Sequence, residues 1–209
     1  MITLLTGTDN FLLMYQKRAL ESAFLASKPD GEISLFDFSD DPHPRQLRRA
    51  LEASEEDLFA LPKLIFLRQP SLLAEDIQDA LLENILSRQT VSWVLIEPGT
   101  LKKTDSYTKK LVSLIGLDKI ICDTPNEAER SKILERLLSE NPNVRFEAPA
   151  RQLFLMRVGG DTAKLYSEFE KLFLYKQDGS ITSEDVEVML EPTLEDTGFQ
   201  ALDALARGN

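Results

Sequence analysis

Gly7 lies in Thr6-Gly7-Thr8-Asp9, between a β-rich run and a helical stretch, where a nucleotide-binding α/β fold places its phosphate loop. Such a loop needs the spacing Gly-x4-Gly-Lys-Ser/Thr, because backbone amides cradle the phosphates, the lysine reaches them and the hydroxyl holds magnesium. Counted from Gly7, those later positions hold Leu12, Leu13 and Met14. An apolar trio cannot cradle a triphosphate. Leu64-Ile65-Phe66-Leu67 is followed by Arg68-Gln69, so no acidic pair stands there to hold magnesium. The residues therefore predict no nucleotide hydrolysis, no cofactor and no metal.

Other chemistry is equally poorly supplied. His43, the one histidine, lies between Pro42 and Pro44, a rigid place for a catalytic base, and cannot build a site with two histidine ligands. Cys122, the one cysteine, excludes an intrachain disulfide and zinc sites built on cysteine pairs; in Lys119-Ile120-Ile121-Cys122-Asp123 it reads as a buried strand thiol. Asp40-Asp41 and Glu55-Glu56-Asp57 fall in polar stretches and read as solvated surface runs.

What stands out instead is Leu58-Phe59, which follows the acidic run Ser54-Glu55-Glu56-Asp57 and precedes Ala60-Leu61-Pro62. Pro62 disfavours helix at Leu61, which places the pair on a short turn. Burial preference alone would pack it into the core; its placement on a turn suits a recognition anchor. Leu61, or Leu12 and Leu13, would stand near it at the same edge of the sheet.

The elements that must position these residues alternate. Five strands are predicted at Ile2 to Leu5, Ile33 to Phe38, Leu64 to Leu67, Trp93 to Ile96 and Lys119 to Cys122, with helices in the gaps, the signature of a mostly parallel α/β sheet. The apolar character of the last three predicts burial on both faces. Asp9 or Asn10 would cap a first helix running to about Ser27. After Asp123 the alternation stops, and helices are predicted over 126 to 140, capped by Thr124 or Asn126, and over 148 to 158, 161 to 176 and 183 to 190. Gly159-Gly160 reads as a helix-ending turn and Trp93 as core. The reading is an α/β domain over 1–124, a small all-α bundle over 125–195 and the start of a linker over 196–209.

The chain has 209 residues, 43% of them apolar, enough to bury a sizeable core, and a net charge of −11. The first 124 residues carry 14 basic against 19 acidic side chains and the remainder 10 against 16, giving −5 and −6, so neither part is a basic nucleic-acid module. Arg45, Arg48 and Arg49 form one compact basic cluster at helical spacing, read as a solvated helix face with a phosphate contact as the alternative. No apolar run is long enough to span a bilayer and no leader pattern opens the chain, which predicts the cytoplasm and no membrane partner.

Taken in order, Leu4-Leu5-Thr6-Gly7-Thr8-Asp9-Asn10-Phe11-Leu12, Asp57-Leu58-Phe59 before Lys63-Leu64-Ile65-Phe66-Leu67, Gly159-Gly160-Asp161 with Glu168-Phe169-Glu170-Lys171-Leu172, Ile181-Thr182-Ser183-Glu184-Asp185-Val186 and Phe199-Gln200-Ala201-Leu202-Asp203-Ala204-Leu205 give the chain a resemblance to the delta subunit of the bacterial DNA polymerase III clamp loader. The resemblance implies an AAA+-like fold without working nucleotide chemistry, hence no enzyme by itself. It implies a subunit that binds the β sliding clamp and opens the ring for loading onto primed DNA in replication, alongside the other loader subunits. Leu58 and Phe59, flanked by Asp57 and Leu61, would enter the clamp's hydrophobic pocket. Asp57-Leu58-Phe59 matches only the end of the pentapeptide used by many clamp partners, with Glu55 where a glutamine opens it. The family's helical collar domain would begin where the chain ends, at Asn209. Two alternatives stand beside this reading: a nucleotide-hydrolysing AAA+ ATPase, and an adaptor for another replication or repair protein.

Overall fold

In the computed structural model, residues 1–39, 42, 44–55, 61–88, 90–102, 104–114 and 116–191 are described. The chain divides into two compact units, Met1–Asp123 and Thr124–Asn209.

The first unit is built on a five-stranded parallel sheet of β1 (Ile2–Gly7), β2 (Glu32–Asp37), β3 (Lys63–Arg68), β4 (Val91–Pro98) and β5 (Leu117–Ile121), in the order β2-β3-β4-β1-β5. Helices α1 (Asn10–Ser27), α2 (Pro44–Ala53), α3 (Glu75–Ser87) and α4 (Ser106–Val112) connect the strands. The continuous apolar runs of β3 and β4 are explained by coverage on both faces. Leu64, Phe66, Val94 and Ile96 pack on the α1 side with Leu13 and Phe24, while Ile65, Leu67, Trp93 and Leu95 pack on the other with Leu47 and Ala50 of α2 and Leu81 and Ile85 of α3. Trp93 is fully buried. The Asp9 carboxylate caps α1 by accepting from the Leu12 amide at 3.0 Å, satisfying one of the free donors of the first turn.

One strand departs from expectation. β5 is not buried on both faces: it pairs only with β1, forms an edge, and leaves Ile121 62% exposed. β1 takes the interior position, buried along its whole length, because β4 and β5 flank it. Sheet order, which local composition does not encode, decides this burial.

The second unit contains α5 (Glu127–Glu140), α6 (Ala148–Val158), α7 (Thr162–Lys176) and α8 (Ser183–Met189). Asn126 and Glu129 form a capping box at α5, and Thr182 and Asp185 form another at α8. Gly159 ends α6 with a φ of 60°, and its amide donates to Leu155 and Met156. In the core Phe146 meets Phe154 at a tilt and stacks on Phe169, with ring centroids 5.3 and 6.5 Å apart. This unit is not purely helical. β6 (Val144–Phe146) and β7 (Gly179–Ile181) pair in parallel, and segments of three residues carry too few side chains to show a strand period in sequence. Among the described residues no helix is long and apolar enough to cross a membrane.

Candidate functional site

Two opposite edges of the parallel sheet carry the residues that the sequence singles out. The C-terminal edge holds the turn after β1. Gly7, at φ 147°, lies against the end of β5, where any Cβ would come within 2.2 Å of the Cys122 carbonyl. The Thr8 amide donates to the Asp123 carboxylate at 3.2 Å and the Asp9 amide to the Cys122 carbonyl at 2.9 Å. The next donors are also engaged, Leu12 with the Asp9 side chain and Leu13 with the Asp9 carbonyl. The amides of Thr8, Asp9, Leu12 and Leu13 are thus engaged within the protein, beside the carboxylates of Asp9 and Asp123. Leu13 is fully buried, with Leu12 and Met14 packed against the same core. Burial and these two carboxylates push the Cys122 thiol up to about 11, so it stays protonated and inert at neutral pH.

Sequence reasoning missed Glu97 at this edge. Closing the apolar run of β4, it is 2% exposed and accepts from the Ser71 amide at 2.9 Å and the Ser71 hydroxyl at 2.6 Å. Burial raises its carboxyl above the usual range, and burial together with Glu97 pushes the Tyr107 phenol up. Gln78 donates to the Ser71 and Leu73 carbonyls, so the pair of side chains fastens the 3₁₀ turn Pro70–Leu72 behind β3. A lone acid ending an apolar run was the available signal. Arg68 at the end of β3 pairs with Asp37 at 3.1 Å. Among the described residues no group of three His, Cys, Asp or Glu could hold a metal ion.

The N-terminal edge holds the approach to the predicted anchor. Asp57, Leu58 and Phe59 lie outside the described residues, as does His43; Leu61 is described and half-buried. Both ends of this stretch are held. On one side, the Arg88 guanidinium donates to the Leu51 carbonyl at 2.8 Å and to the Ser54 hydroxyl, joining the last turn of α2 to the end of α3. On the other, the Pro62 carbonyl accepts from the Glu32 amide at 2.8 Å. Lys63 Nζ donates to the Glu55 carbonyl at 2.5 Å. A cavity of about 240 Å³ opens between Ser54, Glu55, Leu61, Lys63 and Val91. Arg88 carried no local signal, since its partners lie 34 and 37 residues earlier.

Leu12 and Leu13 do not join this edge. They follow β1 whereas Leu61 precedes β3, and in a parallel sheet the residues after one strand and before another stand at opposite ends. α2 turns Leu47 and Ala50 inward and leaves Arg45, Arg48 and Arg49 exposed.

No protein family and no curated protein matches the sequence. Among solved structures, the chain is similar to the DNA clamp loader delta protein of Bacillus subtilis, with a TM-score of 0.69 and 19% identity over 99% of this chain. It spans 62% of that protein's length. Two variants of RuvB from Thermotoga maritima align over 99% of this chain and 70% of theirs, with TM-scores of 0.51 and 0.50 at 16% and 15% identity. The fold is shared with these structures, and the parallel α/β sheet with helices packed on both faces is as expected.

Proposed function

We propose that this chain is a non-catalytic clamp-loader subunit of the delta kind, which binds the β sliding clamp and helps open the ring for loading onto primed DNA. The likeness in fold to a clamp loader delta protein, over 99% of the chain, is the observation that carries this reading. The turn after β1 supports it: the amides of Thr8, Asp9, Leu12 and Leu13 are engaged by Asp123, Cys122 and Asp9, and leucine occupies position 13, where a phosphate loop carries its lysine. Partners on this reading are the clamp and the other loader subunits, with DNA met through them.

Leu58 and Phe59 are the proposed anchor, with Asp57 and Leu61 beside them. Burying both side chains in a partner's pocket is worth about 3–6 kcal/mol before association costs, roughly 10²- to 10⁴-fold in affinity. Replacing both, Leu58→Ala with Phe59→Ala, is expected to abolish capture of the purified clamp while the melting temperature holds within about 2 °C. A large fall in melting temperature would assign the pair to the core. Calorimetric titration with ATP completes the test: saturable micromolar binding would return the chain to the nucleotide-hydrolysing reading.

A further inference from the structure

Lys63 opens β3 and is only 9% exposed, a place that burial preference gives to an apolar side chain. Alternate residues of a strand share a face, and the face of Lys63 is the one by which Ile65 and Leu67 enter the core shared with α2 and α3. An aliphatic residue would extend that core without taking an ammonium out of water. What the lysine supplies is a bond: its Nζ donates to the Glu55 carbonyl at 2.5 Å, across eight residues of chain. The loop closed in this way holds Leu58, Phe59 and Leu61, and with them the whole of the proposed anchor. A stretch of that length fully extended would span roughly 26 Å. The bond instead keeps Glu55 within one lysine side chain of the first residue of β3. Each end is fixed independently of Lys63. The Pro62 carbonyl is tied to the Glu32 amide of β2, while Arg88 holds Leu51 and Ser54 and brings its guanidinium to 3.8 Å from the Glu55 carboxylate.

We propose that Lys63 is a positioning residue for partner binding: by bonding the Glu55 carbonyl it closes the base of the loop that carries Leu58 and Phe59 and presets the span from which they meet the clamp. This inference rests on the clamp-binding reading above and adds a residue that does not itself enter the partner. Conformational freedom given up on docking weakens binding, and freedom already removed in the free protein is not given up again. Closure of the loop before the partner arrives therefore raises affinity without adding a contact. A role confined to the fold would be different in kind. Capping the chain after α2 would stabilise the folded state and leave the partner's affinity unchanged, and the Leu51 carbonyl in the last turn of α2 is served by Arg88 in any case.

The experiment compares the full chain with Lys63→Met, which keeps length and removes the donor, and with Lys63→Arg, which keeps a donor and a cation. Affinity for purified clamp, thermal unfolding and amide hydrogen exchange are read on all three. Lys63→Met is expected to weaken clamp binding about tenfold, the equivalent of freeing one residue's backbone, while a cooperative thermal transition is retained. Exchange at the amides of Leu58 to Leu61 should quicken about tenfold, with those of Leu64 to Leu67 in β3 unchanged. Lys63→Arg should keep clamp affinity within about threefold of wild type. A Met variant that binds the clamp as tightly as wild type overturns the inference. So does an equal loss of affinity in the Met and Arg variants, which would make Lys63 a packing residue, and so does a Met variant with no cooperative transition, which would make it a folding residue. If the wild-type chain binds no clamp, the clamp-binding reading itself fails and this inference falls with it, an outcome distinct from wild-type binding that the Met variant reproduces.

Discussion

Gly7 stands against Cys122 so closely that a single methyl group would reach 2.2 Å from the Cys122 carbonyl carbon and oxygen. The contact closes the turn after β1 onto the end of β5 and turns the amides of Thr8 and Asp9 toward Asp123 and Cys122.

Gly7→Ala is accordingly expected to destabilise the protein by about 3 kcal/mol or more, combining a positive φ with overpacking against backbone that cannot swing aside. Gly99→Ala is the control, since its φ is 89° but nothing lies within 4 Å of the added Cβ; there the cost should be about 1 kcal/mol. Urea unfolding of the two variants measures both. Equal costs would show that the close approach to Cys122 adds nothing.

Arg88→Ala removes the donor that joins Leu51 and Ser54 to the end of α3. A loss of about 1–3 kcal/mol is expected locally, from acceptors left without their charged partner. Hydrogen exchange should quicken at the amides of Ser54 and Glu55, which close the last turn on Ala50, Leu51 and Glu52. Arg88→Lys should restore little, because one ammonium replaces a planar fork that serves two acceptors.

Glu97 makes stability depend on pH in a defined direction. Burial, which outweighs the Ser71 donors, raises its carboxyl above the ordinary 4.5, so the folded state holds this proton more tightly than the unfolded chain does. Its contribution favours folding at low pH and is lost as the pH climbs from about 4.5 through the raised value. Glu97→Gln should therefore flatten the decline in unfolding free energy measured by urea between about pH 5 and pH 8. Identical slopes in wild type and variant would remove Glu97 as the cause.

Much of the architecture was legible along the chain because it rests on local physics. Five apolar runs became the five strands, Asp9 and Asn126 became caps, and Gly159 ended its helix, since each depends on side chains within a few residues of the position concerned. The missing lysine after Gly7 was equally plain. β6 and β7 escaped notice because three residues do not make a period.

Sequence alone determined the alternation of elements, the absence of a phosphate-loop pattern, the acidic balance and the place of Leu58 and Phe59 before β3. The tertiary structure decided which strand lies inside the sheet: β1 took the interior and β5 the edge, because burial follows neighbours distant in sequence, as Ile2 lies beside both Trp93 and Leu117. It separated Leu12 and Leu13 from Leu61, since parallel strands send their two ends to opposite edges. It also placed Arg88 under the last turn of α2 and Asp123 over the amide of Thr8, contacts across 37 and 115 residues that no local pattern encodes.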